Sequence, residues 1–383
     1  MKRGIILNGV VISAGERLEG AAVVICGDKV ERVVPAGGPL PAADWLYNAN
    51  GRYVFPGFVD VHAHGAAGYD ITDDDPKAVV AVAEAKLAEG VTRFCPTTLT
   101  LPEAQLAAAL GRVAEYRADE RFSKGLGVHL EGPFINPGAL GAQNPDYVRK
   151  PDIEEVKRLH AISPVSHVTY AAELDGGADF AAALLQCGIV PTCGHSKCGY
   201  AAFKEVYASG LRHLTHFCNQ MTPLHHRDIG LVGAGLLHDD IRIELICDKI
   251  HVSPEMLAII FATKPAEAVL LITDSMRASH LPDGMSSLGG LEVIVKNGEA
   301  RLVKDGALAG STLRMNIALT NAAEVSGKPL EEVVAMAGHN QARELGLGER
   351  LGRLAPGYAA DVVIVNPATF AVDAVFVDGE QRL

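Results

Sequence analysis

The hydrophobic pattern changes texture twice along the chain. Residues 1–53 carry short apolar runs, "GIILNGVVI", "AAVVICGDKVERVVP" and "WLYNANGRYV", split by Gly, Asn and Pro, with no helical periodicity. Asn8-Gly9 reads there as a hairpin turn between two paired strands. From residue 54 onward, apolar runs alternate with Ala- and Glu-rich amphipathic stretches such as "DPKAVVAVAEAKLAEG" and "GADFAAALLQCG". That alternation is the pattern of strand-helix units around a parallel sheet. Eight runs are present, at 53–64, 91–97, 125–132, 166–173, 188–196, 212–218, 241–248 and 268–274. They predict an α/β fold, a (β/α)₈ TIM-type barrel. Strand texture returns in "GRLAPGYAADVVIVNP" and "AVDAVFVDGEQ". The simplest arrangement joins residues 1–53 and 341–383 in a small β-sandwich domain, with the barrel, residues 54–340, inserted between them. Inside the last barrel stretch, "GLEVIVKNGEARLVKDG" (290–306) predicts a hairpin turning at Lys-Asn-Gly.

The strand ends carry a chemical pattern. His62 and His64 end the first run, Glu131 the third, His195 the fifth and Asp274 the eighth, while His216 sits late in the sixth. In a parallel barrel these are all C-terminal ends, the face on which active sites are assembled. Side chains two apart on a strand share a face, so His62 and His64 would hold one ion together. Each residue has a plainer reading: a paired or capping Glu131, a core His216, an Asp274 that caps a helix. His195 with Cys193 and Cys198 suggests a zinc knot, but a structural site wants four closed ligands and tighter cysteine pairs. What singles these residues out is their joint placement at five strand ends. Imidazole and carboxylate without thiolate suit Zn²⁺, or another first-row divalent ion such as Fe²⁺, with a position open for catalysis. The chemistry expected of such a site is metal-assisted hydrolysis.

Charge and cysteine content narrow the setting. A formal net charge of −12, with no Lys/Arg-rich run, speaks against nucleic acid or anionic membrane as a partner. An anionic ligand must then be caught by a few placed cations. No apolar run reaches the roughly 18 residues of a membrane span. The opening "MKRGIIL" has the two cations and apolar run of a secretory signal, but Asn8-Gly9 interrupts it as a turn between strands would. Seven scattered cysteines, an odd number, favour reduced thiols and a cytoplasmic location.

In order along the chain, "PGFVDVHAHG", "HLEGPFINP", "CGHS", "THFCNQMTPLHHRDIG", "DKIHV", "LITDSM" and "LAGSTLRM" closely resemble the N-acetylglucosamine-6-phosphate deacetylases of the amidohydrolase superfamily. The resemblance covers about residues 54–340. It implies that Glu131, His195 and His216 hold the principal metal. His62 and His64 would bind a second ion, as in two-metal members, with Glu131 and Asp274 near both. It further implies that Asp274 moves the proton and that His251 contacts the substrate near the acetamide. Asn219 and Arg227 match positions that hold the sugar phosphate, with the arginine supplied by the neighbouring subunit of a homodimer. Three positions depart from the family pattern: Gln143 where a sugar-contacting His is usual, Gln220 where Ala is usual, and Lys249 in place of a common Gly. The implied substrate is an N-acetyl amino-sugar 6-phosphate, N-acetylglucosamine 6-phosphate first and the galactosamine epimer second. A lysine-bridged ring opener would need a lysine in "SHVTYAAELD", which has none, and a base deaminase would need His-x-x-Glu after the fifth run. A catalytically silent metabolite-binding barrel would be favoured by a missing ligand or a missing Asp274, and both are present.

Overall fold

A computed structural model describes all 383 residues. Each of the eight runs forms a parallel strand: β1 Phe58–Ala63, β2 Val91–Thr98, β3 Val128–Glu131, β4 Val165–Tyr170, β5 Val190–Cys193, β6 His213–Leu214, β7 Arg242–Ile246 and β8 Val269–Ile272. The strands pair in chain order, and the sheet closes where Ala63 bridges Ser275 and the Asp274 N–H donates to the His62 carbonyl at 2.9 Å. Every residue of β1, β3, β4 and β8 is buried, as strands covered on both faces must be. Helices fill the outer ring, and capping side chains fix where several of them start. Asp152 accepts from the Glu154 and Glu155 N–H groups ahead of Ile153–Ile162, and Ser253 accepts from the Met256 N–H ahead of Pro254–Thr263. No helix is long and apolar enough to cross a membrane.

The barrel interior is less apolar than usual. Such interiors are commonly filled by Val, Ile and Leu, but here the imidazoles of His62, His129, His167 and His213 form a column with successive centroid distances of 4.6, 5.1 and 5.6 Å. Hydroxyls satisfy part of it: Thr169 bonds the His129 ring at 2.7 Å and Thr192 at 2.7 Å. This column places polar chemistry directly beneath the strand ends.

Both chain ends contribute to one eight-stranded sheet. Arg3–Ser13 runs antiparallel to Glu16–Cys26, and Val362–Val365 lies between Tyr53–Pro56 and Val372–Val377. The hairpin expected at Asn8-Gly9 is not formed; the chain turns at Ala14-Gly15 (φ 54° and 81°). Asn8, at φ 55°, interrupts a continuous strand at the point where it changes partner. Residues 4–7 pair with Trp45–Asn48, and Val10 and Val11 pair with Tyr53 and Val54. A left-handed Asn suits a strand irregularity as well as a turn, so the dipeptide alone does not separate the two. The sheet folds over its own core, which includes Ile6, Val23, Val54, Ile364 and Phe376, and Trp45 stacks on Phe376 with centroids 5.5 Å apart.

The hairpin expected near residue 297 is present. Leu291–Lys296 and Glu299–Leu302 turn at Asn297-Gly298 (φ 53° and 77°), and Gly284–Leu288 adds a third strand. This ribbon brings Leu288 and Arg301 to the barrel mouth.

A charge cluster ties the terminal sheet to the barrel. From β2, Arg93 reaches Asp361 at 2.7 and 3.1 Å and also contacts Asp378, which Lys124 meets at 2.6 Å. Asp361 is nearly buried, so removing its partner strands a carboxylate in low dielectric. Breaking a buried pair this way typically costs about 3–5 kcal/mol. Arg93→Ala should therefore lower stability in urea unfolding by about 3 kcal/mol, and a loss below about 0.5 kcal/mol would show that the cluster holds nothing together.

Candidate active site

The six strand-end residues converge around Glu131. Its Oε1 lies 3.0 Å from His216 Nε2, 3.3 Å from His195 Nε2 and 3.4 Å from His62 Nε2, while its Oε2 lies 3.3 Å from His64 Nε2. The imidazoles form two facing pairs, His62 with His64 at 3.2 Å and His195 with His216 at 3.1 Å, Nε2 to Nε2. Asp274 Oδ1 sits beside the first pair, 3.3 Å from His64 and 3.6 Å from His62. Glu131 thus stands between two donor sets that share its carboxylate, His62/His64/Glu131 and Glu131/His195/His216.

The local backbone is bent to allow this. His195, His216 and Asp274 have φ of 47°, 30° and 48°. Non-glycine residues held there cost of order 1–3 kcal/mol each and persist only when their surroundings fix them. Fixing contacts are present at each. The His195 carbonyl accepts from the Asn136 N–H at 3.0 Å, the His216 N–H donates to Glu244 Oε2 at 3.1 Å, and Asp274 is held by the His62 carbonyl and the Ser311 N–H.

Hydrogen bonds on the far ring nitrogens aim the ligand atoms. His195 Nδ1 donates to the Ala139 carbonyl at 2.8 Å, and His62 Nδ1 donates to Glu244 at 2.9 Å. With Nδ1 committed to an acceptor, Nε2 is the ring atom turned toward Glu131, and it would offer its lone pair to a cation that displaces any proton there. His64 and His216 have no partner on Nδ1, but their Nε2 atoms face the same point, and four Nε2 atoms with two carboxylates fit a divalent cation. A third cluster, His62/His129/Glu244, does not. His129 spends Nδ1 on the Val61 carbonyl at 2.9 Å and Nε2 on Thr169, and burial, with His62 next to it, pushes it down to about 3. None of the three groups contains Cys193 or Cys198, so the zinc knot is not formed.

Electrostatics bind the cluster together. Burial opposes charge on His62, but Glu244, Asp274 and Glu131 outweigh it and hold the imidazole well above its ordinary value. Burial likewise pushes the Asp274 carboxyl up, and the neighbouring His62 and His64 outweigh that and keep it below the usual aspartate value. Asp274 is therefore ionised at neutral pH.

A cavity of about 310 Å³ opens above these groups, lined in part by Gln143, Asn219, Gln220, His251, Leu288 and Arg301. His251 is held by Asp248, whose carboxylate accepts from Nδ1 at 2.6 Å and from the His251 N–H at 2.8 Å, which leaves Nε2 as the ring atom available to a ligand. Gln143 lines the wall with its amide engaged: Nε2 donates to Glu131 Oε2, and Oε1 accepts from the Thr100 N–H at 2.7 Å. Arg227 is exposed and does not line the cavity of its own chain. Lys249 does not line it either. It has φ 65°, in the left-handed region that favours glycine, and Nζ pairs with Glu324 at 2.8 Å. Sequence reading missed Glu244, Asp248 and Arg301. Asp248 carried a signal, since it stands three residues before His251 in "DKIHV".

An amidohydrolase family model matches residues 294–382. The N-acetylglucosamine-6-phosphate deacetylase of Lysinibacillus sphaericus is 37% identical over 324 residues, 83% of this chain and 82% of that protein. The N-acetylgalactosamine-6-phosphate deacetylase of Escherichia coli O157:H7 is 35% identical over 353 residues, 91% and 92% of the two chains. A solved structure of a Mycobacterium smegmatis N-acetyl-D-glucosamine-6-phosphate deacetylase variant, in complex with N-acetyl-D-glucosamine-6-phosphate, superposes with a TM-score of 0.92 at 30% identity over 100% of both chains. With identity at this level running through a barrel whose strand ends carry the ligand constellation, the chain belongs to the N-acetylglucosamine-6-phosphate deacetylase family of amidohydrolases.

Proposed function

We propose that this protein hydrolyses N-acetylglucosamine 6-phosphate to glucosamine 6-phosphate and acetate, using a divalent metal centre. The observation that carries this reading is the convergence of four Nε2 atoms and the Glu131 and Asp274 carboxylates beneath a sugar-sized cavity. Glu131, His195 and His216 would hold the principal ion, and His62 and His64 with Glu131 a second. The imidazole and carboxylate donor set favours Zn²⁺, with Fe²⁺ or another first-row ion as alternatives. Such an ion supplies Lewis acidity and brings the pKa of water into the neutral range.

The chain's own groups do the rest. Asp274, ionised and facing the cavity, takes the proton of the attacking water as the new C–O bond forms at the acetyl carbon. It then returns that proton to the amine nitrogen as the C–N bond breaks, the two-way role open to a carboxylate. His251, fixed by Asp248, presents Nε2 toward the reacting acetamide. Asn219 and Gln220 line the cavity, where Asn219 would help hold the sugar phosphate and Gln220 would face the sugar. Arg227 faces outward on its own subunit, which suits delivery of its guanidinium to the phosphate in the neighbouring site of a homodimer. Seven unpaired cysteines suit a reducing, cytoplasmic setting.

The galactosamine epimer is the second reading, favoured by the 35% identical Escherichia coli relative. Gln143 gives it little support, because both ends of that amide are already engaged with Glu131 and Thr100.

Acetate release from the two sugar 6-phosphates should be fastest with the glucosamine compound and weak with either unphosphorylated sugar. Faster release from the galactosamine compound would reassign the substrate. Asp274→Asn should keep substrate affinity and metal content while losing about 10²–10⁴-fold in kcat. Wild-type kcat in that variant would remove Asp274 from the proton-transfer role.

A further inference from the structure

Behind the ligands lies a buried carboxylate that the reaction itself does not use. Glu244, on β7, is fully buried and does not line the cavity. Its Oε2 accepts from His62 Nδ1 at 2.9 Å and from the His216 N–H at 3.1 Å, and its Oε1 accepts from His213 Nε2 at 3.1 Å. One side chain therefore holds a ring from the His62/His64 pair and the main chain of a ligand from the His195/His216 pair. His213 is held in turn: its Nδ1 lies 3.2 Å from Glu344 Oε1, and Glu344 Oε2 meets the partly exposed Arg242 at 2.6 Å.

We propose that Glu244 is the positioning residue of the metal centre, acting through His62 above all, and that His213, Glu344 and Arg242 form its brace. The inference rests on the two-ion reading given above. With Nδ1 committed to Glu244, Nε2, the atom 3.2 Å from His64 Nε2, is the one turned to the place where an ion would sit. Without that acceptor the ring is free to rotate, or as a neutral ring to carry its proton on Nε2 in place of Nδ1, and the ligand is lost. His216, at φ 30°, depends on the same carboxylate to anchor its N–H. Glutamine is a poor substitute because it offers one acceptor atom and one donor atom to three donors. Removing such outer partners typically weakens metal binding by about 10–100-fold.

The test is Zn²⁺ binding by chelator competition in metal-stripped protein, for wild type, H62A/H64A, Glu244→Gln, Glu244→Asp and Glu344→Gln, with urea stability of the same metal-stripped samples. Wild type should bind two ions and H62A/H64A one. Glu244→Gln should weaken the ion lost in H62A/H64A by about 10–100-fold, and the remaining ion by less. Glu344→Gln should shift the same ion in the same direction by a smaller factor. If Glu244→Gln fails to fold, Glu244→Asp carries the test, since its carboxylate is withdrawn from His62 by one methylene and the same ion should weaken. Two ions at wild-type affinity in a folded Glu244 variant would overturn the positioning role and leave the two-ion reading intact. A wild type that binds one ion, with no loss in H62A/H64A, would overturn both.

Discussion

The site depends on one constraint: the Glu131 carboxylate stands between two pairs of imidazoles whose ligand nitrogens face each other at 3.1 and 3.2 Å. Ring nitrogens gathered that closely, without thiolates and almost without solvent, are stable only when something positive lies among them or a proton is shared. A closed parallel barrel meets the geometric half of this demand, since β1, β3, β5, β6 and β8 all present their C-terminal ends at one mouth. The backbone meets the other half by accepting left-handed φ at His195, His216 and Asp274 and fixing each with hydrogen bonds. Strain of that kind at three functional positions is consistent with a centre whose ligands are held in place before any ion arrives.

The polar barrel core follows from the same constraint. Ligands anchored only by aliphatic neighbours would be free to turn, whereas His62 and His216 are tied to Glu244, and Glu244 to His213. Glu244 and Glu344 flank His213 and raise it to about 9 against the opposing effect of burial, so the pair it forms with Glu244 is a charged one at neutral pH. The polar column replaces apolar packing that would have been cheaper in free energy to assemble, and in exchange it fixes direction at the mouth.

Much of this was legible in the sequence. Alternation of apolar runs with amphipathic stretches marked all eight barrel strands, although runs such as "SHVTYAAE" and "RHLTHFC" carry His and Thr among their apolar residues. The ligand types stood at the strand ends, where His62, His64, Glu131, His195, His216 and Asp274 needed only the barrel hypothesis to fall together. Glu244 was not legible, since a single acid within "IRIELICD" has the same local appearance whether it faces solvent or the core. Gln143 stands where the resemblance implies a sugar-contacting residue; it lines the cavity, and the engagement of its amide with Glu131 and the Thr100 N–H was not legible in the sequence. Asn8-Gly9 misled for a conformational reason, because a left-handed Asn serves a hairpin turn and a partner change within one strand equally well.

The cavity shows how the parts divide the work. His64, Glu131, His195, His216 and Asp274 form its floor, His251 is set at one side by Asp248, and the ribbon of residues 284–302 adds Leu288 and Arg301 above. Where a metal sits decides how these groups work together. Anomalous diffraction at the zinc edge from crystals grown with Zn²⁺ should show one peak among Glu131, His195 and His216 and a second by His62 and His64, with Glu131 between them. No peak at the barrel mouth, or a peak confined to His129 and Glu244, would contradict that arrangement.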